Sequence, residues 1–235
     1  MKIIKIAHLY YDLMNLYGES GNVLALVEAI EAQGLKCKVD NLTKDNKIDF
    51  SKYDVFIMGM GTEDNQEIVR KDILKYKSVI KKVIKTKTFI MTGNSYELFG
   101  STLNNLECLN IFDFKSTTNK ARIVGEQVYK TTLLDTPIIG FQNRGSINDI
   151  KENYLFEIVN GFGNNANINY EGIKVYDFYG TYTIGPLLVR NPQFKDKIVE
   201  DLLLKLNCNY KEIKNTPDYI AYNEYLKNFN IKKDN

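Results

Sequence analysis

The chain is poor in the two side chains on which much nucleophilic enzyme chemistry rests: of 235 residues, three are cysteine and one is histidine. Cys37, Cys108 and Cys208 are odd in number and carry no metal or redox spacing, so they read as reduced, packed thiols and not as a disulfide framework. That points to a cytoplasmic protein. Charge of one sign is also scarce. A formal net charge of +2 argues against nucleic acid or an anionic membrane as the main partner. No apolar run is long enough to span a bilayer, and Met1 to Ala7 alternates Lys with Ile, which reads as a strand and not as a signal peptide.

What is present is a succession of short apolar runs separated by amphipathic stretches, the pattern of strands alternating with helices around a mostly parallel sheet. Ile3 to Leu9 predicts a first strand. The loop Gly18 to Asn22 opens a helix with Val23, Leu26, Val27 and Ile30 on one face and Gly34 at its C-cap. Lys36 to Leu42 and Val55 to Met58 are further strands, the latter ending at Gly59-Met60-Gly61. A Lys-rich helix follows, with Ile73, Tyr76, Ile80, Val83 and Ile84 inward and its lysines on the solvated side. Thr88 to Met91 is a buried strand that turns at Thr92-Gly93-Asn94-Ser95 into a helix from about Tyr96. The second half is β-rich, around Arg122 to Tyr129, Pro137 to Phe141, Tyr154 to Ile158, Ile173 to Phe178 and Tyr182 to Ile184. Asn191-Pro192 introduces a last amphipathic helix through Leu202 to Leu206. The organisation is one domain over residues 1–228 and a polar tail over 229–235.

An enzyme that takes ammonia from glutamine needs a thiolate on a strained strand-to-helix turn, a histidine to activate it, and backbone N–H groups for the oxyanion. The only turn with that form is Met91 to Tyr96, and the Gly59-Met60-Gly61 turn would supply further N–H groups. The scaffold is legible but the reactive groups are missing. The apex is Gly93, which has no side chain. His8 lies on the first strand and reads as structural, and the three cysteines read as core or surface thiols. Thr92 and Ser95 flank the apex without a base to activate them. Gly18-Glu19-Ser20-Gly21-Asn22 precedes a helix and could hold an anion, but it lacks a phosphate-loop lysine, and Glu19 would repel a phosphate.

Several segments in fixed order resemble one family: Asn15-Leu16-Tyr17 with Gly21-Asn22; Gly59-Met60-Gly61 through Gln66; Tyr96-Glu97-Leu98-Phe99-Gly100; and Arg122 with Gly125-Glu126. The series continues with Gly140-Phe141-Gln142-Asn143, Gly161 to Asn165, Glu171-Gly172, and Gly180-Thr181-Tyr182 followed by Gly185-Pro186-Leu187-Leu188. Together they resemble the glutaminase (GatD-type) subunit of lipid II isoglutaminyl synthase, within the cobyric-acid-synthase-like class I glutamine amidotransferases. The resemblance implies an α/β, flavodoxin-like domain with a mostly parallel central sheet flanked by helices and a β-rich C-terminal half. In that family the elbow reads Cys-Gly-Gly-Tyr, which places Gly93 at the nucleophile. The histidine follows Gly-Thr-Tyr and one further residue, which places Ile184 at the base. A histidine is also common where this chain has Arg144.

The resemblance implies substrate contacts from Arg122, Gly59, Gly61, Asn94 and Tyr96. It implies a MurT-like, ATP-using Mur ligase partner, which would carry the ATP and Mg, with glutamine or ammonia as nitrogen source and no cofactor in this chain. The leading expectation is a pseudo-glutaminase that docks on the ligase. The alternatives are an active glutaminase with a relocated nucleophile (Cys108 or Ser95, with His8) and a non-catalytic glutamine-binding module.

Overall fold

The structure is a computed structural model in which residues 2–214 and 216–227 are described. The expected tail over 229–235 lies outside them. The first half follows the apolar runs closely: β1 (Ile3–Leu9), α1 (Ser20–Glu31), β2 (Lys36–Leu42), β3 (Val55–Met58), α2 (Glu63–Ile73), α3 (Lys77–Val83) and β4 (Thr88–Thr92). Thr62 caps α2 by accepting the Asn65 N–H at 3.1 Å. The single Lys-rich helix expected from the spacing is divided by a 3-10 turn at Leu74–Tyr76. The break lets the Tyr76 ring pack on Phe50 with centroids 5.3 Å apart. Lys71, Lys75, Lys81, Lys82 and Lys85 of this region are exposed, as a solvated face requires.

After β4 the chain does not begin an α-helix at Tyr96. It winds into a 3-10 helix over Gly93–Phe99 whose seven residues are all buried, because the side chains of this turn bond inward. The remaining elements are β5 (Thr102–Leu103), β6 (Leu106–Glu107), β7 (Lys115–Thr131), β8 (Leu134–Asn148), β9 (Phe156–Asn160), β10 (Tyr170–Glu171), β11 (Ile173–Val175), β12 (Phe178–Thr181), α4 (Leu187–Arg190), α5 (Pro192–Lys205) and α6 (Pro217–Lys227). The asparagine before Pro192 does more than introduce α5. Its side-chain amide pairs with both backbone groups of Ile139 at 2.8 Å and so fastens the helix to β8.

The main sheet has the order β11-β12-β4-β3-β1-β2 and is parallel except for β11 against β12. Alternate residues of the central strands enter two apolar layers. Ala7, Leu9, Phe56, Met58, Phe89 and Met91 pack toward α2 and α3. Ile4, Ile6, Val55, Ile57 and Ile90 pack with α1 and α5 residues such as Leu26 and Val199. Because β1 sits between β2 and β3, the connections leave in opposite directions there, and a crevice opens at the carboxyl ends of the strands.

A second sheet of order β10-β9-β7-β5-β6, with β8 on β7, holds the β-rich half. The short strands expected at Arg122 to Tyr129 and Pro137 to Phe141 are parts of one long hairpin, β7 with β8. The apolar signal ends near Phe141 but the strand does not. Gln142, Arg144, Ser146 and Asn148 continue the inward alternation as buried polar side chains.

Candidate active site

Strand β4 delivers Thr92 to the carboxyl edge of the main sheet, in register with Thr181 of β12, and Gly93 follows with φ +63°. A side chain at that φ is strained and glycine is not, so the elbow keeps its form with no reactive group on it. The nearby carboxyl group belongs to Glu19. It is fully buried and accepts the Thr92 hydroxyl, the Gly185 N–H at 3.0 Å and the Asn22 side-chain amide at 3.0 Å. Thr92 precedes Gly93 and Gly185 follows Ile184, so one carboxylate fastens the chain beside Gly93 and beside Ile184. Burial pushes the Glu19 pKa up, against these hydrogen bonds. Its loop therefore holds a carboxylate inside the protein and not an anion at a helix terminus. Ile184 is fully buried, and its N–H donates to Phe141 O at 2.9 Å.

The turn after β3 lies beside the elbow. Gly61 donates its N–H to Asn94 Oδ1 at 3.1 Å, and Asn94 Nδ2 returns a bond to Gly61 O at 3.0 Å. Gly59 is a close approach: a Cβ there would meet Glu19 Cγ and Met14 O, each at 2.7 Å. The Ser95 hydroxyl donates to Met58 O at 3.0 Å and Thr92 O at 2.7 Å, with no titratable neighbour among its partners. Cys108 is buried in the apolar layer beneath α2, and burial raises its thiol pKa to about 12. His8 is buried on β1, where burial lowers its pKa. Its Cα pairs with those of Asn41 and Ile57. None of these contacts assembles a nucleophile with a base.

Behind the elbow is a polar layer. Glu97 is fully buried and accepts from Gln66 Nε2 at 2.7 Å, Ser146 Oγ at 2.5 Å and Tyr182 OH at 2.6 Å. Burial raises its pKa, opposed by those bonds and by the charge of Arg144. Arg144 is itself 1% exposed. Its guanidinium donates to the Gln142 side chain at 2.9 Å and to the carbonyls of Ser146, Gly163 and Asn164. It also sits 3.8 Å from the centre of the Tyr182 ring. Glu171 accepts from Thr181 Oγ1 and Tyr182 N, both at 2.6 Å, while burial lifts its pKa to about 7.

A cleft of about 200 Å³ opens outside the elbow, lined by Met60, Glu63, Gln66, Asn94, Arg144 and Ser146 among others. Of the expected substrate contacts only Asn94 is in that lining. Gly59 and Gly61 are packed beneath it, and Tyr96 is buried with its hydroxyl accepting from Asn148 at 2.7 Å. Arg122 stands outside, 47% exposed as a side chain, bonded to Glu63 Oε1 and Asn143 Oδ1 at 2.9 Å each. Sequence reasoning missed Glu97, Glu171 and the inward turn of Glu19. The residues lie within family-like segments, but nothing in their spacing tells a buried glutamate from an exposed one. Among the described residues no cluster of His, Cys, Asp and Glu could hold a metal ion, and no helix is long and apolar enough to cross a membrane.

The two mixed sheets flanked by helices, with the elbow at the carboxyl edge, form an α/β fold consistent with the class I glutamine amidotransferases. Among solved structures, the glutaminase domain of Trypanosoma brucei CTPS with bound acivicin superposes with a TM-score of 0.51, covering 92% of this chain and 98% of that one at 9% identity. No family model matches the sequence. Among curated proteins the chain is similar to the GatD subunit of lipid II isoglutaminyl synthase (glutamine-hydrolyzing) of Staphylococcus aureus strain N315. The two are 29% identical over 226 residues, covering 94% of this chain and 90% of the relative. The corresponding subunit of Streptococcus pneumoniae strain R6 is 28% identical over 213 residues, covering 86% and 81%.

Proposed function

We propose that this chain is the amidotransferase-like subunit of a lipid II isoglutaminyl synthase that has lost glutamine hydrolysis and keeps its place in the complex. Gly93 carries the reading: the elbow holds a positive φ at its apex, and the residue there has no side chain. Ile184 replaces the base on the segment that Glu19 ties to the same strand end. The similarity to two GatD subunits runs through most of the chain, which supports a retained assembly surface and pocket frame. On this reading a Mur-ligase-like partner activates a carboxyl group with ATP. Ammonia then attacks the activated carbonyl directly, the C–N bond forming as the activating group leaves and the nitrogen gives up a proton.

The test is amide formation by the chain with its ligase partner, supplied with ammonium chloride or with glutamine, while glutamate release is followed. Product from ammonium and none from glutamine is the expected result. Glutamate release by the wild-type chain at a rate that matches amide formation overturns the reading.

A further inference from the structure

The elbow is closed as well as unarmed. A Cβ at Gly93 would overlap Met60 Cβ and lie 2.7 Å from Met60 Cγ and 3.1 Å from Met60 Cα. The obstruction is the root of a buried side chain (Met60 is 2% exposed) and its backbone, not a flexible tip that could swing away. The second obstruction is electrostatic. An oxyanion hole needs free backbone N–H groups aimed at the reacting carbonyl. The Gly61 N–H is spent on Asn94 Oδ1, within a two-bond bracket that Asn94 Nδ2 completes on Gly61 O. Asn94 is held further by Gln66, whose side-chain amide donates to Asn94 O at 2.7 Å.

We propose that Met60 and Asn94 are blocking residues. Met60 occupies the volume that a nucleophile at position 93 requires, Asn94 occupies the donor that its oxyanion requires, and the carboxamide of glutamine is thereby excluded from the elbow. The proposal rests on the pseudo-glutaminase reading and makes it a matter of shape as well as of missing groups. Restoring a thiol and an imidazole alone then fails, because the space and the donor must be restored first.

The experiment compares Gly93→Cys/Ile184→His with Met60→Gly/Gly93→Cys/Ile184→His, each with its ligase partner. Alkylation of the new thiol by acivicin is read by peptide mass, and folding by thermal melting. Opening position 60 should raise the labelling rate on the order of 100-fold, the scale of a misplacement of about 1 Å at a reacting atom. A double variant that melts far below wild type, with recovery in the triple variant, reports the same obstruction. Adding Asn94→Gly to the triple variant should then raise glutamate release. Equal labelling of the double and triple variants overturns the role of Met60, as does absence of labelling in both. Equal turnover with and without Asn94→Gly overturns the role of Asn94. Each of these failures leaves the pseudo-glutaminase reading standing. Only glutamate release by wild type removes that reading.

Discussion

The middle of the main sheet and its carboxyl edge are equally buried and built on opposite chemistry. In the middle, aromatic rings run through the layer beneath α2: Phe50 on Phe56 at 5.1 Å, Phe56 on Phe89 at 4.6 Å, Phe89 against Phe99 at 6.0 Å. Such a layer is held by volume and non-directional burial, and swaps that conserve volume are tolerated. At the edge, Glu19, Glu97, Glu171, Arg144, Asn148 and Asn164 are all 3% exposed or less. There each donor or acceptor depends on a particular partner, since an unmade bond costs its full desolvation penalty. The difference explains how the elbow around Gly93 is held in place. The polar layer holds the elbow through mutual hydrogen bonds among its own side chains and backbone.

Arg144 is the sharpest place to break this comparison. Arg144→Met keeps approximate bulk but strips hydrogen bonds from three carbonyl groups and removes the positive charge near Glu97 and Glu171. Removing one partner of a buried charged network costs about 3–5 kcal/mol. Ile90→Val, in the middle of β4, should cost about 1 kcal/mol. Urea denaturation of the two variants decides the matter. If Arg144→Met costs no more than Ile90→Val, the edge is held by packing like the rest of the sheet.

A smaller effect should appear in the pH dependence. Glu171 takes its proton near pH 7 in the folded chain, against an ordinary value of 4.5. Between those values the folded state holds a proton that the unfolded state has released, so this glutamate's contribution is complete below about pH 4.5 and falls as pH rises toward 7. The ceiling on the loss is about 3 kcal/mol, at roughly 1.4 kcal/mol for each tenfold change in proton affinity. Glu67 works in the other direction. Its hydrogen bond from Arg70 lowers its pKa to about 2, so its contribution is present above 4.5 and disappears as pH falls toward 2. Glu171→Gln should remove a decline in stability between pH 5 and pH 7, read by denaturant midpoint as the difference from wild type, because the buried His8 acts in the opposite sense in that window. An unchanged slope in the variant would assign the decline to Glu19 or Glu97.

The first half of the structure was readable from the sequence because its strands follow apolar or alternating segments: β1, β2 and β3 have the bounds those segments predict. The polar half was not. The β7–β8 hairpin extends beyond its apolar signal because Gln142, Arg144, Ser146 and Asn148 face inward, and alternation among polar residues carries no hydropathy signature. The elbow was legible as a strand followed by small residues, whereas the placing of Gly93 and Ile184 at the nucleophile and base positions rests on the resemblance alone. Met60 as an obstruction was not, since a methionine between two glycines reads as part of a turn until the space above Gly93 is seen to be filled.

Arg122 offers the finest discrimination between edge and exterior. Were it part of the edge layer, its removal would resemble that of Arg144. Its pair with Glu63 is instead exposed, at 47% and 61% of the two side chains, although Asn143 joins it and in turn donates to Tyr17 OH at 2.7 Å. Exposed pairs of this kind are worth roughly 0.2–1 kcal/mol and weaken with salt. Arg122→Ala should therefore cost less than about 1 kcal/mol, with the difference from wild type shrinking between low and high ionic strength. A loss above about 2 kcal/mol that salt leaves untouched would place Arg122 with the buried network. The boundary between the polar edge and the solvated rim of the cleft would then move outward by one residue pair.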